Sequence, residues 1–409
     1  MSAADAHRHV VVVGASLAGT RTVQNLRALG HAGPITLIGA ESELPYDRPP
    51  LSKDLLAASW SEDAVTGIRL AGEEELRELE VDLRLGAAAT SLDPAGKTVE
   101  LADGTSVGYD VLVIATGASA RPSPWQPASG VYQLRTLDDS RAIAARLALG
   151  EHIVVVGGGF IGTEIAAAAR RHGCEVTLVD PVPEPMARIV GPEIARSLVA
   201  LHHRNGASTR FGVGVVGVDG EDGALTITLA DGSELSASTA VVGIGTIPST
   251  AWLEDSGLSV AGGVLTDASL RAVGADDVYA IGDVARWPHA GRGTEVRAEH
   301  WTNASDQARY VASAIAQGTD APYEPTDYVW SDQYDWKVHT VGWRDPEGTS
   351  LTIGDLDEEG RTAVIHEDAH GVATGAVTVN WVRALNQVRR LLASGGSASD
   401  VADQLRQLA

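Results

Sequence analysis

The sequence has very few sulfur-containing and phenylalanine side chains. It contains one cysteine, Cys174, together with two methionines and two phenylalanines. Because one thiol cannot form an intrachain disulfide, any mechanism that needs a redox-active dithiol within the chain is excluded. Cys174 lies between a predicted helix and a predicted strand, so we expect it to pack as a small buried side chain.

Positive charge is also scarce, with 31 Lys and Arg against 54 Asp and Glu and a net charge of −23. This balance argues against nucleic acid or an anionic membrane as the main partner. No apolar run approaches the roughly 20 residues of a membrane span. The first seven residues lack the apolar core of a signal peptide, so we expect a cytoplasmic protein. A length of 409 residues is enough for two or three domains.

Glycine, in contrast, is abundant, and two glycine-rich turns follow apolar strands. The first turn carries Gly14, Ser16 and Gly19, and the second, Gly157-Gly-Gly-Phe-Ile-Gly, ends at Gly162. Each predicts a strand, a tight turn and a helix N-terminus, with helices over 19–30 and 162–172. Such a turn lets a pyrophosphate approach the backbone and the first helical amides.

An acidic residue follows the next strand of each unit, Glu41 in the first and Asp180 in the second. A carboxylate at this place accepts hydrogen bonds from a ribose diol. The second turn matches the dinucleotide pattern completely, whereas Ser16 replaces the middle glycine of the first. Two dinucleotide sites in one chain suggest hydride transfer between two dinucleotides.

The two units look like an internal duplication, followed by a helix over 304–317 and a small α+β segment. The strand 111–115 corresponds to 239–245, and each is preceded by a hairpin signal. The last segment predicts strands and then a terminal helical stretch. Its predicted strands are 337–341, 351–353, 363–365 and 375–378.

Several other residues have plain structural explanations. His289, His300 and His339 do not have the spacing of a metal site, so we expect structural histidines and no bound metal. By spacing alone, Lys53 is a surface lysine after a Pro-Pro turn. Glu164 alone is an acid near a helix N-terminus, where the dipole stabilises it.

Seven longer motifs carry a resemblance to a known protein family. They are 44–53 (LPYDRPPLSK), 115–117 (ATG), 134–137 (LRTL), 157–164 (GGGFIGTE), 280–283 (AIGD), 299–304 (EHWTNA) and 330–334 (WSDQY). With them, essentially the whole chain resembles the FAD-dependent ferredoxin reductases of bacterial oxygenase systems. The resemblance implies an α/β, glutathione-reductase-type flavoprotein with two dinucleotide-binding domains and a C-terminal α+β domain. The implied domains are FAD-binding over 1–115 and 246–322, NAD-binding over 116–245, and C-terminal over 323–409.

The resemblance also implies site residues. Those expected to hold FAD are Gly14, Ala15, Ser16, Gly19, Glu41, Arg48, Lys53, Ala89, Ala115, Thr116, Gly117, Arg135, Gly282, Asp283, Trp301 and Trp330. Those expected to hold NAD are Gly157, Gly159, Phe160, Ile161, Gly162, Glu164, Asp180 and Gly245.

Within that set, Lys53 and Glu164 are the expected catalytic pair. The resemblance implies that they approach each other at the flavin and orient the nicotinamide without exchanging protons. Trp301 is expected on the turn before the helix, at the pyrimidine side of the flavin, and Trp330 is expected to mark the exit towards the acceptor. Asp180, with no arginine in 181–183, predicts NADH rather than NADPH.

The implied activity is electron transfer from NADH through FAD to a [2Fe–2S] ferredoxin, one electron at a time. That ferredoxin would feed a cytochrome P450 or a ring-hydroxylating oxygenase. Alternatives on the same scaffold are rubredoxin reductase, NADH oxidase, monodehydroascorbate reductase and a sensor of NADH resembling apoptosis-inducing factor. Candidate ferredoxin-docking residues are Arg297, Arg309, Arg383, Arg389 and Arg390.

Overall fold

The computed structural model describes residues 7–57, 60–357 and 359–407. The N-terminal residues 1–6, which carry most of the segment tested for a signal peptide, lie outside the described residues. The chain divides into two units, each built from three stretches. Unit 1 comprises Met1–Asp47, Glu62–Ser119 and Thr246–Pro325, and unit 2 comprises Arg48–Ser61, Ala120–Gly245 and Thr326–Ala409.

Unit 1 is organised around a five-stranded parallel sheet. Its strand order is Val278–Ala280, Val111–Ile114, Val10–Val13, Ile35–Ile38 and Val81–Arg84. The three central strands are continuous runs of Val, Ile, Leu and Thr and are buried throughout. Strands covered on both faces by helices and loops require such runs rather than alternating patterns.

The main helices of unit 1 are Leu17–Ala28 and Trp301–Gln317, which pack against each other over the hydrophobic core. The short helices Glu62–Gly67 and Glu73–Glu78 lie in the same unit. Its remaining strands are Ala89–Asp93, Thr98–Leu101, Ser106–Gly108, Thr246–Pro248, Val264–Leu265, Ala285–His289 and Thr294–Val296.

Unit 2 contains a parallel sheet of the same design. Its strand order is Val131–Tyr132, Thr239–Val242, Ile153–Val156, Val176–Asp180 and Ser208–Phe211. Its helices are Asp54–Ala57, Leu137–Leu147, Phe160–Arg171, Ala187–Val190 and Pro192–Arg204. The antiparallel strands Val215–Glu221, Ala224–Leu229 and Glu234–Ala237 correspond to Ala89–Asp93, Thr98–Leu101 and Ser106–Gly108 of unit 1. The duplication predicted from the sequence is therefore visible in the topology.

The C-terminal part of unit 2 is an antiparallel sheet with two helices. The strand order is Tyr328–Gln333, Trp336–Gly342, Ala373–Val379, Arg361–Glu367 and Thr349–Asp355. The helices Val382–Ala393 and Ala398–Arg406 contribute to the hydrophobic core of this sheet, which includes Trp381 and Val401. Sequence patterns predicted the last four of these strands in shorter form but missed Tyr328–Gln333.

Three predicted helix starts were wrong, because the helices begin two or three residues earlier. The helices predicted over 19–30 and 162–172 are Leu17–Ala28 and Phe160–Arg171, so their glycines lie within the first turn. A Cβ on Gly19 would lie 1.9 Å from the carbonyl oxygen of Gly14, and one on Gly162 would lie 2.0 Å from that of Gly157. These glycines permit the close approach of turn and helix and do not mark the helix start.

The helix predicted over 304–317 begins at Trp301, with His300 as its N-cap residue. Trp301 is therefore the first residue of the helix and does not lie on the turn before it.

Candidate functional site

The first glycine-rich turn, in unit 1, has a backbone that only glycine can adopt. Gly14 has a φ of +121°, and a Cβ there would lie 2.1 Å from the carbonyl oxygen of Ala115. Ser16 has a φ of −112° and is the N-cap of the helix Leu17–Ala28, so a serine is accommodated without strain. The tight turn thus lets an anion such as pyrophosphate come close to the N-terminal end of the helix.

The second turn, in unit 2, repeats this geometry. Gly157 has a φ of +115°, and a Cβ there would lie 2.2 Å from the carbonyl oxygen of Gly243. Gly159, in contrast, has no described atom within 4 Å of its would-be Cβ. The next residues, Phe160 and Ile161, form the first helical turn. The open side of Gly159 therefore fits a group that must approach the backbone, such as a dinucleotide pyrophosphate.

The two acidic residues predicted to bind ribose, Glu41 and Asp180, have different hydrogen-bond partners. Glu41 accepts a hydrogen bond from the hydroxyl of Tyr46 at 2.5 Å. The two carboxylate oxygens of Asp180 accept hydrogen bonds from the N–H of Gly158, in the glycine-rich turn, and from the N–H of Val182, just after the strand, both at 2.7 Å. A carboxylate oxygen can accept more than one hydrogen bond, so Asp180 retains acceptor capacity for a ribose diol.

Other residues predicted to hold FAD lie at loops of unit 1. Ala89 begins an antiparallel strand, and Ala115 and Gly117 flank Thr116, whose hydroxyl donates to the carbonyl of Ser249 at 2.9 Å. Thr116 therefore ties this turn to the chain segment that follows Gly245, the last residue predicted for the NAD site.

The turn at Gly282 and Asp283 packs against the helix Trp301–Gln317. The N–H of Gly282 donates to Oε1 of Gln307 at 2.7 Å. Gln307 is fully buried, and its Nε2 has no hydrogen-bond partner among the described residues. A buried amide donor beside Asp283 suits the hydroxyl-rich chain of a flavin, so these residues fit FAD.

Trp301 donates its indole N–H to the carboxylate of Asp47 at 2.7 Å. Neither Asp47 nor Gln307 was predicted as a site residue from the sequence. Asp47 at least lies inside the 44–53 motif, whereas Gln307 carried no signal beyond its place in a helix.

Unit 2 brings the predicted catalytic pair together. Nζ of Lys53 lies 2.6 Å from Oε1 of Glu164, and their side chains are 15% and 3% exposed. Lys53 directly follows the short 3₁₀ helix Pro49–Ser52, in which two prolines preset the backbone. Lys53 is thus a paired and largely buried residue, and the surface-lysine alternative does not hold.

Two serines complete the surroundings of Glu164. The hydroxyls of Ser52 and Ser331 donate to its two carboxylate oxygens, both at 2.6 Å. A buried carboxylate loses its hydration, and these bonds, together with Lys53, replace it. A polar cavity of about 270 Å³ lies beside the pair and is lined by Lys53, Glu164, Arg171, Tyr334 and others. Neither serine was predicted from the sequence, although Ser52 lies in the motif 44–53 and Ser331 in the motif 330–334.

The other three FAD residues that fall in unit 2 are Arg48, Arg135 and Trp330. Arg48 donates to the carbonyl of Arg135. Arg135 directly precedes Thr136, which caps the helix Leu137–Leu147. Trp330 lies on the strand Tyr328–Gln333, with its ring stacked on Tyr328 at 5.9 Å between centroids. Arg48 and Arg135 therefore support each other, while Trp330 belongs to an aromatic cluster.

The chemistry of the remaining candidates is limited. Cys174 is fully buried, and its burial raises the pKa of the thiol. Within 7–57, 60–357 and 359–407, no group of three or more His, Cys, Asp or Glu is arranged to hold a metal ion. Over the same residues, none of the helices has both the length and the apolarity to span a membrane.

Comparisons with known proteins agree with this geometry. Residues 8–308 match the family model described as pyridine nucleotide-disulphide oxidoreductase, and residues 328–409 match the one described as reductase C-terminal. The chain is 36% identical over 384 residues to the ferredoxin–NAD(+) reductase component of the p-cumate 2,3-dioxygenase system of Pseudomonas putida. That alignment covers 93% of this chain and 92% of the relative.

Two further matches are to proteins whose names specify an electron carrier. A rubredoxin–NAD(+) reductase of Pseudomonas putida is 36% identical over 326 residues, which cover 79% of this chain and 83% of the relative. Among solved structures, the covalent putidaredoxin reductase–putidaredoxin complex matches with a TM-score of 0.89 and 30% identity. It covers 97% of this chain and 95% of the matched chain.

These matches confirm the resemblance and the fold class predicted from the sequence. The C-terminal α+β segment is the part matched by the reductase C-terminal model. The predicted cofactors are confirmed as well, since the family uses FAD and NAD(H). The chain belongs to the pyridine nucleotide-disulphide oxidoreductase family and is an FAD-dependent oxidoreductase that uses NAD(H).

Proposed function

We propose that this chain is an NADH:ferredoxin reductase, which passes electrons singly to a [2Fe–2S] ferredoxin that feeds a cytochrome P450 or a ring-hydroxylating oxygenase. One observation carries the proposal. The chain has two glycine-rich turns of the same geometry, at Gly14 and Gly157, but its lone cysteine is buried. Two dinucleotides without a dithiol mean that the electrons must leave to an external acceptor.

Unit 1 supplies most of the residues that hold FAD. Gly14 and Gly19 keep the turn tight against the helix, whose first amides face the pyrophosphate. Glu41 accepts from the adenosine ribose, and Asp283 with Gln307 holds the ribityl chain. The helix that begins at Trp301 directs its positive end towards the flavin and favours its anionic reduced form. Bound FAD supplies the conversion of two-electron reduction into one-electron transfer. The other FAD residues expected from the sequence remain part of this proposal.

Unit 2 supplies the residues that hold NADH. Gly159 leaves room for the pyrophosphate, and Asp180 accepts from the adenosine ribose diol. The same carboxylate repels the 2′-phosphate of NADPH, so NADH is the preferred donor. Lys53 and Glu164 orient the nicotinamide as a fixed ion pair and do not move a proton.

Five arginines were expected to dock the ferredoxin. Arg383, Arg389 and Arg390 lie on the exposed face of the helix Val382–Ala393 in unit 2, and Arg389 covers the ring of Tyr328. In unit 1, Arg309 is 72% exposed and paired with Asp306 at 2.9 Å, whereas Arg297 is 21% exposed and paired with Glu299 at 2.6 Å. Arg297 is therefore the weakest candidate of the five. Because the chain as a whole is acidic, an acidic partner needs local positive charge, which the exposed arginines offer within each unit.

Charge reversal tests the role of these arginines in docking. Arg309→Glu or Arg389→Glu should lower turnover with ferredoxin, because electrostatic steering is lost, and should leave ferricyanide reduction unchanged. Steady-state assays with both acceptors measure the difference. An equal loss with the two acceptors would remove these arginines from the proposal.

The function itself is tested by anaerobic titration with NADH, followed in the visible spectrum. The flavin absorbance should bleach and should return rapidly when an oxidised [2Fe–2S] ferredoxin is added. Rapid return with rubredoxin but not with any ferredoxin would favour the second candidate, to which the rubredoxin reductase relative points. Bleaching that no carrier reverses would contradict both and would favour a sensor. The cytoplasmic location expected from the sequence stays a prediction.

A further inference from the structure

The catalytic pair is tied to the C-terminal sheet by a chain of buried side chains. Ser331 and Gln333 lie two residues apart on the strand Tyr328–Gln333, so their side chains lie on one face of the sheet. That strand packs against the helix Phe160–Arg171, which carries Glu164. Ser331, Gln333, His202 and Glu164 are all 4% exposed or less.

The chain runs from Tyr334 to Glu164. The hydroxyl of Tyr334 lies 3.0 Å from Nδ1 of His202, and Nε2 of His202 lies 3.2 Å from Oε1 of Gln333. Nε2 of Gln333 lies 3.3 Å from Oγ of Ser331, whose hydroxyl contacts Oε1 of Glu164 at 2.6 Å. Oε1 of Glu164 is also the atom that contacts Lys53.

The direction of every bond follows from Glu164. A carboxylate only accepts, so Ser331 donates to it and accepts in turn from the amide of Gln333. The amide oxygen of Gln333 can only accept, so His202 donates through Nε2 and accepts from Tyr334 at Nδ1. This arrangement needs a neutral imidazole, and burial lowers the pKa of His202 to about 4. All donors therefore point towards Glu164.

We propose that Ser331 is a positioning residue for the NADH half of the reaction, held by Gln333, His202 and Tyr334. It fixes the carboxylate of Glu164 and, through that carboxylate, the ammonium of Lys53. The C-terminal domain thereby takes part in orienting the nicotinamide, although it carries no dinucleotide motif. This inference rests on the proposed function in two respects: NADH is the donor, and the pair of Lys53 and Glu164 orients its nicotinamide.

The test uses the flavin-loaded enzyme and the variant Ser331→Ala. The second-order rate constant for flavin reduction by NADH in stopped flow should fall about tenfold, because a hydrogen bond to a buried charge is lost. Reoxidation of the reduced variant by ferricyanide should be unchanged. Ser331→Thr, which keeps the hydroxyl, should recover most of the lost rate.

A second readout avoids turnover. In calorimetry, the affinity for 1,4,5,6-tetrahydro-NAD, which keeps the carboxamide but cannot give up hydride, should fall about fivefold in Ser331→Ala. The affinity for ADP-ribose, which lacks the nicotinamide ring, should not change. The matched control is Thr362→Val, which removes a buried hydroxyl bonded to Ile353 elsewhere in the same sheet and should leave all these values unchanged.

Equal loss of affinity for the two analogues, or wild-type behaviour of Ser331→Ala with both, would overturn the positioning role. If Ser331→Ala does not fold, Gln333→Met, which removes the donor to Ser331, should slow flavin reduction about threefold, and an unchanged rate would overturn the proposal. Failure of the proposed function would look different, because wild-type flavin reduced by NADH would then pass no electrons to any ferredoxin. The comparison of Ser331 variants needs no ferredoxin.

Discussion

The ion pair of Lys53 and Glu164 should be strongly coupled in stability as well as in function. Both side chains are mostly buried and lie 2.6 Å apart. Removing one partner of such a pair leaves an uncompensated charge, which typically costs 3–5 kcal/mol. Because Lys53 is 15% exposed, we expect Lys53→Met to cost about 3 kcal/mol, at the lower end of that range.

Glu164→Gln is gentler, because a neutral amide still offers a hydrogen-bonding group to each of Ser52 and Ser331. We expect a cost of about 2 kcal/mol. Once Glu164 is neutral, loss of the Lys53 ammonium adds little, so the double variant should cost about 3 kcal/mol, roughly 2 kcal/mol less than the sum. All three variants should also reduce flavin more slowly with NADH.

A double-mutant cycle in urea unfolding measures the coupling. Tryptophan fluorescence and circular dichroism must give the same transition before a free energy of unfolding is extracted, since the chain has two units. The exposed pair Arg406 and Asp403, 2.7 Å apart and 59% and 68% exposed, serves as the control. Its coupling should stay below about 0.5 kcal/mol. Additive costs for Lys53→Met and Glu164→Gln would refute the reasoning from burial.

Four further predictions concern residues of unit 2. Gly159→Ala should raise KM for NADH roughly tenfold in steady-state assays without changing stability, because a methyl there meets no protein atom but blocks the pyrophosphate. Gly157→Ala should instead destabilise by more than about 2 kcal/mol in urea unfolding, because its φ is +115° and its Cβ would clash. Asp180→Asn should lower the ratio of kcat/KM for NADH to that for NADPH at least about tenfold, and an unchanged ratio would contradict the specificity argument. His202 stays neutral in the folded chain with a pKa of about 4, against 6.5 ordinarily. Its contribution to stability is therefore complete above pH 6.5 and is lost by up to roughly 3 kcal/mol as the pH falls towards 4, whereas His202→Gln should show a shallower loss in unfolding followed against pH.

Much of the fold was predictable from local sequence patterns. The glycine turns and buried strands were predictable because a tight approach of backbone to ligand or helix allows only glycine, and because a doubly covered strand must be apolar throughout. Helix starts were less predictable, since Gly19 and Gly162, which were expected to begin their helices, lie two residues inside them. The strand Tyr328–Gln333 was missed because it mixes aromatic and polar side chains, with no clean alternation.

Some parts of the functional site were likewise predictable from the sequence, and others were not. Composition and local order were enough to predict two dinucleotide turns and the acids that follow them, and to show the lack of a dithiol, because each depends on neighbouring residues or on a simple count. The surroundings of Glu164 could not be obtained in this way. Ser331 lies 167 residues from Glu164 along the chain, and a serine has no recognisable pattern until folding buries it against a carboxylate. The hydrogen bonds that connect Tyr334 through His202, Gln333 and Ser331 to Glu164 depend on desolvation and on the direction of each bond. Both arise only when these distant segments pack together.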